Sequence, residues 1–159
     1  MFNAKPRNAM IGLVALGALG LPMQAAAAAT APLTASESGT FQLLGACASG
    51  VVLDVNGTGE ATQLGNYAAH YRECFDPATG AVTSGSFTLT AANGDTLFGS
   101  YSGQGRPTSD PNVVHYDDPG VITGGTGRFA GANGVVTASG TADLATGAYT
   151  GTLSGGVSV

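Results

Sequence analysis

AVTSGSFTLTAANGDTLFGSYSG, residues 81–103, holds two short apolar and threonine-rich runs on either side of Asn93-Gly94. Period-two alternation with β-branched and aromatic residues is what a half-buried strand requires. Asn-Gly between two such runs suits a type I′ hairpin turn, in which both central residues take positive φ. The segment therefore predicts an antiparallel hairpin.

The same pattern extends in both directions. Further strands are expected at 40–44, 50–55, 59–75 (one bent strand or two), 120–123, 134–142 and 148–157, besides 81–91 and 96–103. The segments Asp76-Pro77-Ala78-Thr79-Gly80 and Asp143-Leu144-Ala145-Thr146-Gly147 are near copies, and predict one hairpin loop used twice. From Gly39 onward no stretch places apolar residues at i, i+3, i+4 and i+7, so no helix is predicted. Seven or eight antiparallel strands in one small domain mean a sandwich or a closed barrel. An immunoglobulin-type sandwich calls for a buried Trp, and the chain has none. A closed barrel removes the sheet edges altogether. The expectation is an all-β chain: a single antiparallel eight-stranded barrel over 39–159, preceded by a flexible small-residue leader at 30–38.

Residues 1–29 read as an address. Lys5 and Arg7 form a cationic start, Met10 to Leu21 an apolar run, Pro22 a break, and the alanines 25–29 offer Ala-x-Ala cleavage sites. This predicts a secretory signal peptide cut after Ala27 or Ala29. No second apolar run follows, so no membrane association is expected once the signal is removed. A secreted or periplasmic protein results. In an oxidising compartment two cysteines most simply pair, which predicts a Cys47–Cys74 disulfide.

Composition narrows the function. The 159 residues suit one domain, and 43% apolar with 9% charged residues excludes a disordered chain. Beyond residue 29, Arg72, Arg106 and Arg128 stand against ten acids, a balance of −7. Nucleic acid is a poor partner for such a chain, because neutralising phosphates takes clustered Lys and Arg. An anionic membrane surface is disfavoured for the same reason.

The run Val121-Ile122-Thr123-Gly124-Gly125-Thr126-Gly127-Arg128-Phe129, continued by Ala130-Gly131-Ala132-Asn133-Gly134, resembles the bacterial relatives of the allene oxide cyclase and dirigent proteins. So do the segments from Gly85 to Thr90, Ala91 to Asp95 and Thr96 to Gly99. The resemblance spans about residues 39–159. It implies an eight-stranded antiparallel barrel with an apolar lumen and no cofactor. The plant members assemble as trimers, which leaves a homotrimer open here. Related bacterial barrels include cyclases that fold a flexible apolar substrate into a ring. The Gly-Gly-Thr-Gly-Arg-Phe core is a tight turn entering a strand and carries no chemistry. Residues 125–130 also fit G-x-G-x-x-A, but a dinucleotide site needs a helix there, and residues 131–142 read as a strand.

Two clusters hold the candidate chemistry. In Tyr67 to Phe75 (YAAHYRECF), alternation puts Tyr67, Ala69, Tyr71, Glu73 and Phe75 on one face, with Ala68, His70, Arg72 and Cys74 on the other. If the first face lines the lumen, Glu73 is desolvated, its pKa rises, and it can move a proton. Otherwise Glu73 sits at the rim, paired with Arg106 or Arg128. In His115-Tyr116-Asp117-Asp118-Pro119-Gly120, Asp-Pro-Gly suits a turn; the functional alternative is a barrel-mouth site with His115 as acid or base and Tyr116 over the ligand. Tyr67, Tyr71, Phe75 and Tyr101 are the ligand-lining candidates, and Glu73, His115 and Tyr116 the catalytic ones. No metal-ligand spacing or G-x-S-x-G elbow is present. The expected role is binding of a small apolar molecule in the lumen. A cofactor-free cyclase or isomerase is the alternative, and a structural surface protein with a filled barrel the third.

Overall fold

A computed structural model describes residues 28–159. The proposed signal peptide therefore lies almost wholly outside the described residues. Eight strands follow in order: β1 (Ala31–Cys47), β2 (Gly50–Ala61), β3 (Gly65–Phe75), β4 (Ala81–Ala91), β5 (Thr96–Pro107), β6 (Val113–Gly125), β7 (Asn133–Asp143) and β8 (Ala148–Ser158). Each pairs antiparallel with the next, and β8 returns to β1, closing the barrel. The sole helical element among the described residues is a 3-10 turn at Gly127–Phe129.

The flexible leader expected at 30–38 is corrected. Residues 31–38 are the first half of β1, paired with β8 from Ala31↔Val157 and with β2 from Ala35↔Ala61. Their small polar residues suggested a tail, but barrel closure supplies hydrogen-bond partners on both sides. The run 59–75 resolves into two strands, separated at 62–64 with Gly65 at φ +66°. Residues 113–119 are also strand: Asp118-Pro119-Gly120 lies within β6 and makes no turn.

The repeated Asp-to-Gly segments do form matching turns. Asp76 Oδ1 accepts from Ala78 N at 2.8 Å, and Asp143 Oδ1 accepts from Ala145 N at 2.8 Å. The fifth residue then closes each loop: Gly80 N donates to Asp76 O and Gly147 N to Asp143 O. The Asn93-Gly94 hairpin exists, with a different turn from the one expected. Gly94 alone has positive φ, Gly94 N donates to Ala91 O, and Ala91 N donates to Asp95 O. This is the three-residue loop with glycine in the left-handed position.

The two barrel ends differ. At the end holding the start of β1 and the 62–64 connection, Leu33, Leu64, Leu97, Phe129, Ala132 and Val157 are buried and plug the barrel. The Gly-Gly-Thr-Gly-Arg-Phe segment builds this plug. Its 3-10 turn drives Phe129 inward, while Arg128 caps it from outside, its guanidinium 4.7 Å from the Phe129 ring centroid. Arg128 Nη2 also donates to the carbonyls of Gln63 and Leu64. Each fully buried leucine here contributes about 1.5–3 kcal/mol. The other end stays open. Leu43 and Leu144 are 65% and 50% exposed, yet both line the interior. The Cys47–Cys74 disulfide forms near this open rim, with Cα atoms 5.9 Å apart. It fastens β1 to β3 across the intervening β2.

Candidate functional site

The barrel encloses a cavity of about 390 Å³. Its lining comes from the inward set of alternate residues on every strand: Leu33, Glu37 and Phe41 on β1, Tyr71, Glu73 and Phe75 on β3, Tyr116, Asp118 and Ile122 on β6, for example. Most of the wall is aliphatic or aromatic. Tyr71, Phe87 and Tyr101 make an aromatic corner, with ring centroids 6.1–6.5 Å apart and Tyr71 edge-on to Tyr101.

The face of β3 carrying Tyr67, Tyr71, Glu73 and Phe75 is the inward one. Tyr71, Glu73, Phe75 and Tyr101 line the cavity, and Tyr67 is buried just beneath it. Glu73 lies toward the open end but pairs with neither arginine: Arg106 is exposed on the outer face, and Arg128 lies at the plugged end. Instead Tyr101 Oη donates to Glu73 Oε2 at 2.6 Å. Burial pushes the Glu73 carboxyl above its ordinary range, and the Tyr101 hydrogen bond opposes this only in part.

A β-bulge frames that pair. Arg72 sits opposite Ser86 but Cys74 opposite Thr83, so two residues of β4 face Glu73 alone. Ser84 in this bulge takes φ 53°, which a residue other than glycine rarely adopts. Gly85 beside it provides the floor for Tyr101, since a Cβ there would fall 2.7 Å from the ring.

The adjacent pair His115 and Tyr116 is split by the pleat. Tyr116 points into the cavity and donates to Thr150 O at 3.2 Å. His115 is exposed on the outer face of β6, so it does not reach the lumen as acid or base. The physical reason is period two: neighbours along a strand face opposite ways.

Two lumenal acids were not among the sequence candidates. Glu37 is buried at 7% exposure, with both its oxygens held by tyrosines. Tyr67 Oη donates to Oε2, and Tyr71 Oη reaches both Oε1 and Oε2, all at 2.8 Å. Burial is the larger influence and raises its pKa. Asp118 is the third acid, 8% exposed, and its Oδ1 has no hydrogen-bond partner. Burial first, then the charges of Glu73 and Asp117, push it up to about 7. The backbone packs hard against this carboxyl, for a Cβ on Gly103 would collide with Oδ1. Alternation from Tyr116 would have put Asp118 on the lumen face; reading Asp-Pro-Gly as a turn hid it. Glu37 was hidden by the expectation of a flexible leader.

Every tyrosine of the chain is therefore directed inward, at positions 67, 71, 101, 116 and 149. Four of them have Oη hydrogen bonds; the buried Oη of Tyr149 has none. Among the described residues, no group of three His, Cys, Asp or Glu gathers in a way that could hold a metal ion. No helix of the described residues is long and apolar enough to cross a membrane.

Compared with protein-family models, curated proteins and solved structures, the chain matches none.

Proposed function

We propose that this protein is an exported barrel that binds a small, largely apolar molecule in its lumen. The observation that supports it is the cavity itself: about 390 Å³, walled by apolar side chains, plugged at one end and open at the other through Leu43 and Leu144. Ligand pockets in proteins are typically concave, mostly apolar and furnished with a few placed polar groups. A filled structural barrel would spend that volume on side chains. Export is supported by the leader at residues 1–29 and agrees with the disulfide. The resemblance to the allene oxide cyclase-like and dirigent-like barrels agrees with an eight-stranded closed barrel.

The test is to fill the cavity. Ala138→Phe places a ring in the lumen from β7, where Ala138 lines the wall. Binding of a fluorescent apolar probe such as N-phenylnaphthylamine should be saturable in the wild type and lost in this variant, with the circular dichroism spectrum unchanged. Equal binding by both proteins would refute lumenal binding.

A second reading is supported by Asp118. A buried carboxyl with a free oxygen and a pKa of about 7 can give or take a proton near neutral pH. This suits a cofactor-free cyclase or isomerase, with Asp118 and Glu73 moving protons and Tyr116 over the substrate. A carrier should keep its affinity for an apolar ligand in Glu73→Gln and Asp118→Asn, whereas an enzyme should keep binding and lose turnover.

A further inference from the structure

The cations of the described chain all lie outside the barrel, whereas three of its ten acids line the cavity. Arg72, Arg106, Arg128, His70 and His115 are all exposed on the outside. Glu37, Glu73 and Asp118 line the cavity, and no Lys, Arg or His lines it with them. Buried acids ordinarily come with a cation or a full set of hydrogen bonds, because desolvating an unpaired charge is costly. Tyrosines supply those bonds to Glu37 and Glu73. Asp118 Oδ1 has no such partner, and neither has Tyr149 Oη.

We propose that the lumenal ligand is an amphipathic amine, its ammonium group held by Asp118 and its apolar body packed along the aliphatic wall. The proposal rests on the lumen-binding reading and adds the chemical class of the ligand. Asp118 lines the cavity but turns its unpartnered Oδ1 against Gly103. A rotation of the carboxyl toward the lumen would bring that oxygen to an ammonium donor, balancing the acids with a charge-assisted hydrogen bond of the stronger kind. The aromatic corner of Tyr71, Phe87 and Tyr101 offers ring faces that attract cations. The same acids would repel a carboxylate ligand. Outside the barrel, the net negative charge of the chain favours approach of a cation.

Calorimetric titration of the purified protein at pH 8 with phenylbutylamine, phenylbutanol and phenylbutyrate tests this, as the three probes share one apolar body. The amine should bind at least about tenfold more tightly than the alcohol, the range expected of a desolvated charge-assisted bond. The carboxylate should be the weakest. Asp118→Asn, nearly the same in shape, should bring the amine down to the affinity of the alcohol and leave the alcohol unchanged. An alcohol that binds as tightly as the amine would overturn the amine proposal while leaving lumenal binding intact. An amine preference that survives in folded Asp118→Asn would overturn the assignment to Asp118. Binding by none of the three would remove the lumen-binding reading, and the amine proposal with it. The comparison of probes on the wild type decides the ligand class even if the variant misfolds.

Discussion

Tyr101 and Glu73, on strands β5 and β3 with β4 between them, are joined through the barrel interior by a 2.6 Å hydrogen bond from the phenol to the carboxyl. Both groups are half-buried on the cavity wall, so water replaces the bond poorly. Tyr101→Phe leaves a half-buried acid without its donor. It should lower stability by about 1–3 kcal/mol, the usual cost of an unsatisfied buried polar group. Urea denaturation of the single variants and of Tyr101→Phe with Glu73→Gln should give a coupling energy well above zero. Additive effects would show that the bond is not made in solution.

Gly85 should be as sensitive as the aromatic residue it supports. A Cβ at this position meets the Tyr101 ring at 2.7 Å, so Gly85→Ala must push the ring off the wall and away from Glu73. Alanine ordinarily stabilises a strand relative to glycine by about 0.5–1 kcal/mol. Here overpacking should reverse that sign and destabilise by about 1–3 kcal/mol. With Tyr101→Ala in the background, the same substitution should become neutral or mildly stabilising. Thermal melts of the four proteins in that cycle check it.

The lumenal acids should make stability fall as pH rises from acid to neutral, while Asp54, Asp76 and Asp143, held low by their hydrogen bonds, act the other way at acid pH. Asp118 is held up to about 7 when folded, against an ordinary 3.8. Below 3.8 it is protonated in both states and contributes nothing to the pH dependence. Between 3.8 and 7 the unfolded chain ionises while the folded carboxyl keeps its proton, so each rise in pH favours unfolding. Above about 7 the loss levels off. Glu37 and Glu73 are also raised and act in the same direction. Asp118→Asn should therefore flatten the decline and melt higher than wild type at pH 8. An unchanged slope in that variant would mean that the carboxyl is solvated.

Opening the disulfide should loosen the open rim. The Cys47–Cys74 bond encloses 27 residues of sequence separation, for which chain entropy alone gives about 3–4 kcal/mol. The double substitution Cys47→Ser with Cys74→Ser should lower the denaturation midpoint by a corresponding amount. Amide exchange should quicken first in β1 and β2 near the rim. The plugged end around Phe129 should stay protected, since its packing does not involve the bridge.

Much of the barrel is legible in the chain because local chemistry fixes it. The Asp-to-Gly loops at 76–80 and 143–147 carry their own turn geometry in one side chain and one left-handed glycine. The run 81–91 forms one strand, as its alternation implies, although the bulge at Ser84-Gly85 interrupts that alternation once. The shared face of Tyr67, Tyr71, Glu73 and Phe75 follows from the pleat of a single strand. What local chemistry does not fix is which face is the inside, or which strands lie side by side. Residues 31–38 have the composition of a tail and become strand because β8 and β2 flank them in the closed barrel. Closure turns Glu37 inward between Tyr67 and Tyr71, and Asp118 inward against Gly103. It also sends His115 outward. Alternation sorts residues within a strand at no cost in sequence distance. Gathering three acids from β1, β3 and β6 around one cavity depends on register carried around the whole barrel, a long-range property settled only when the last strand meets the first.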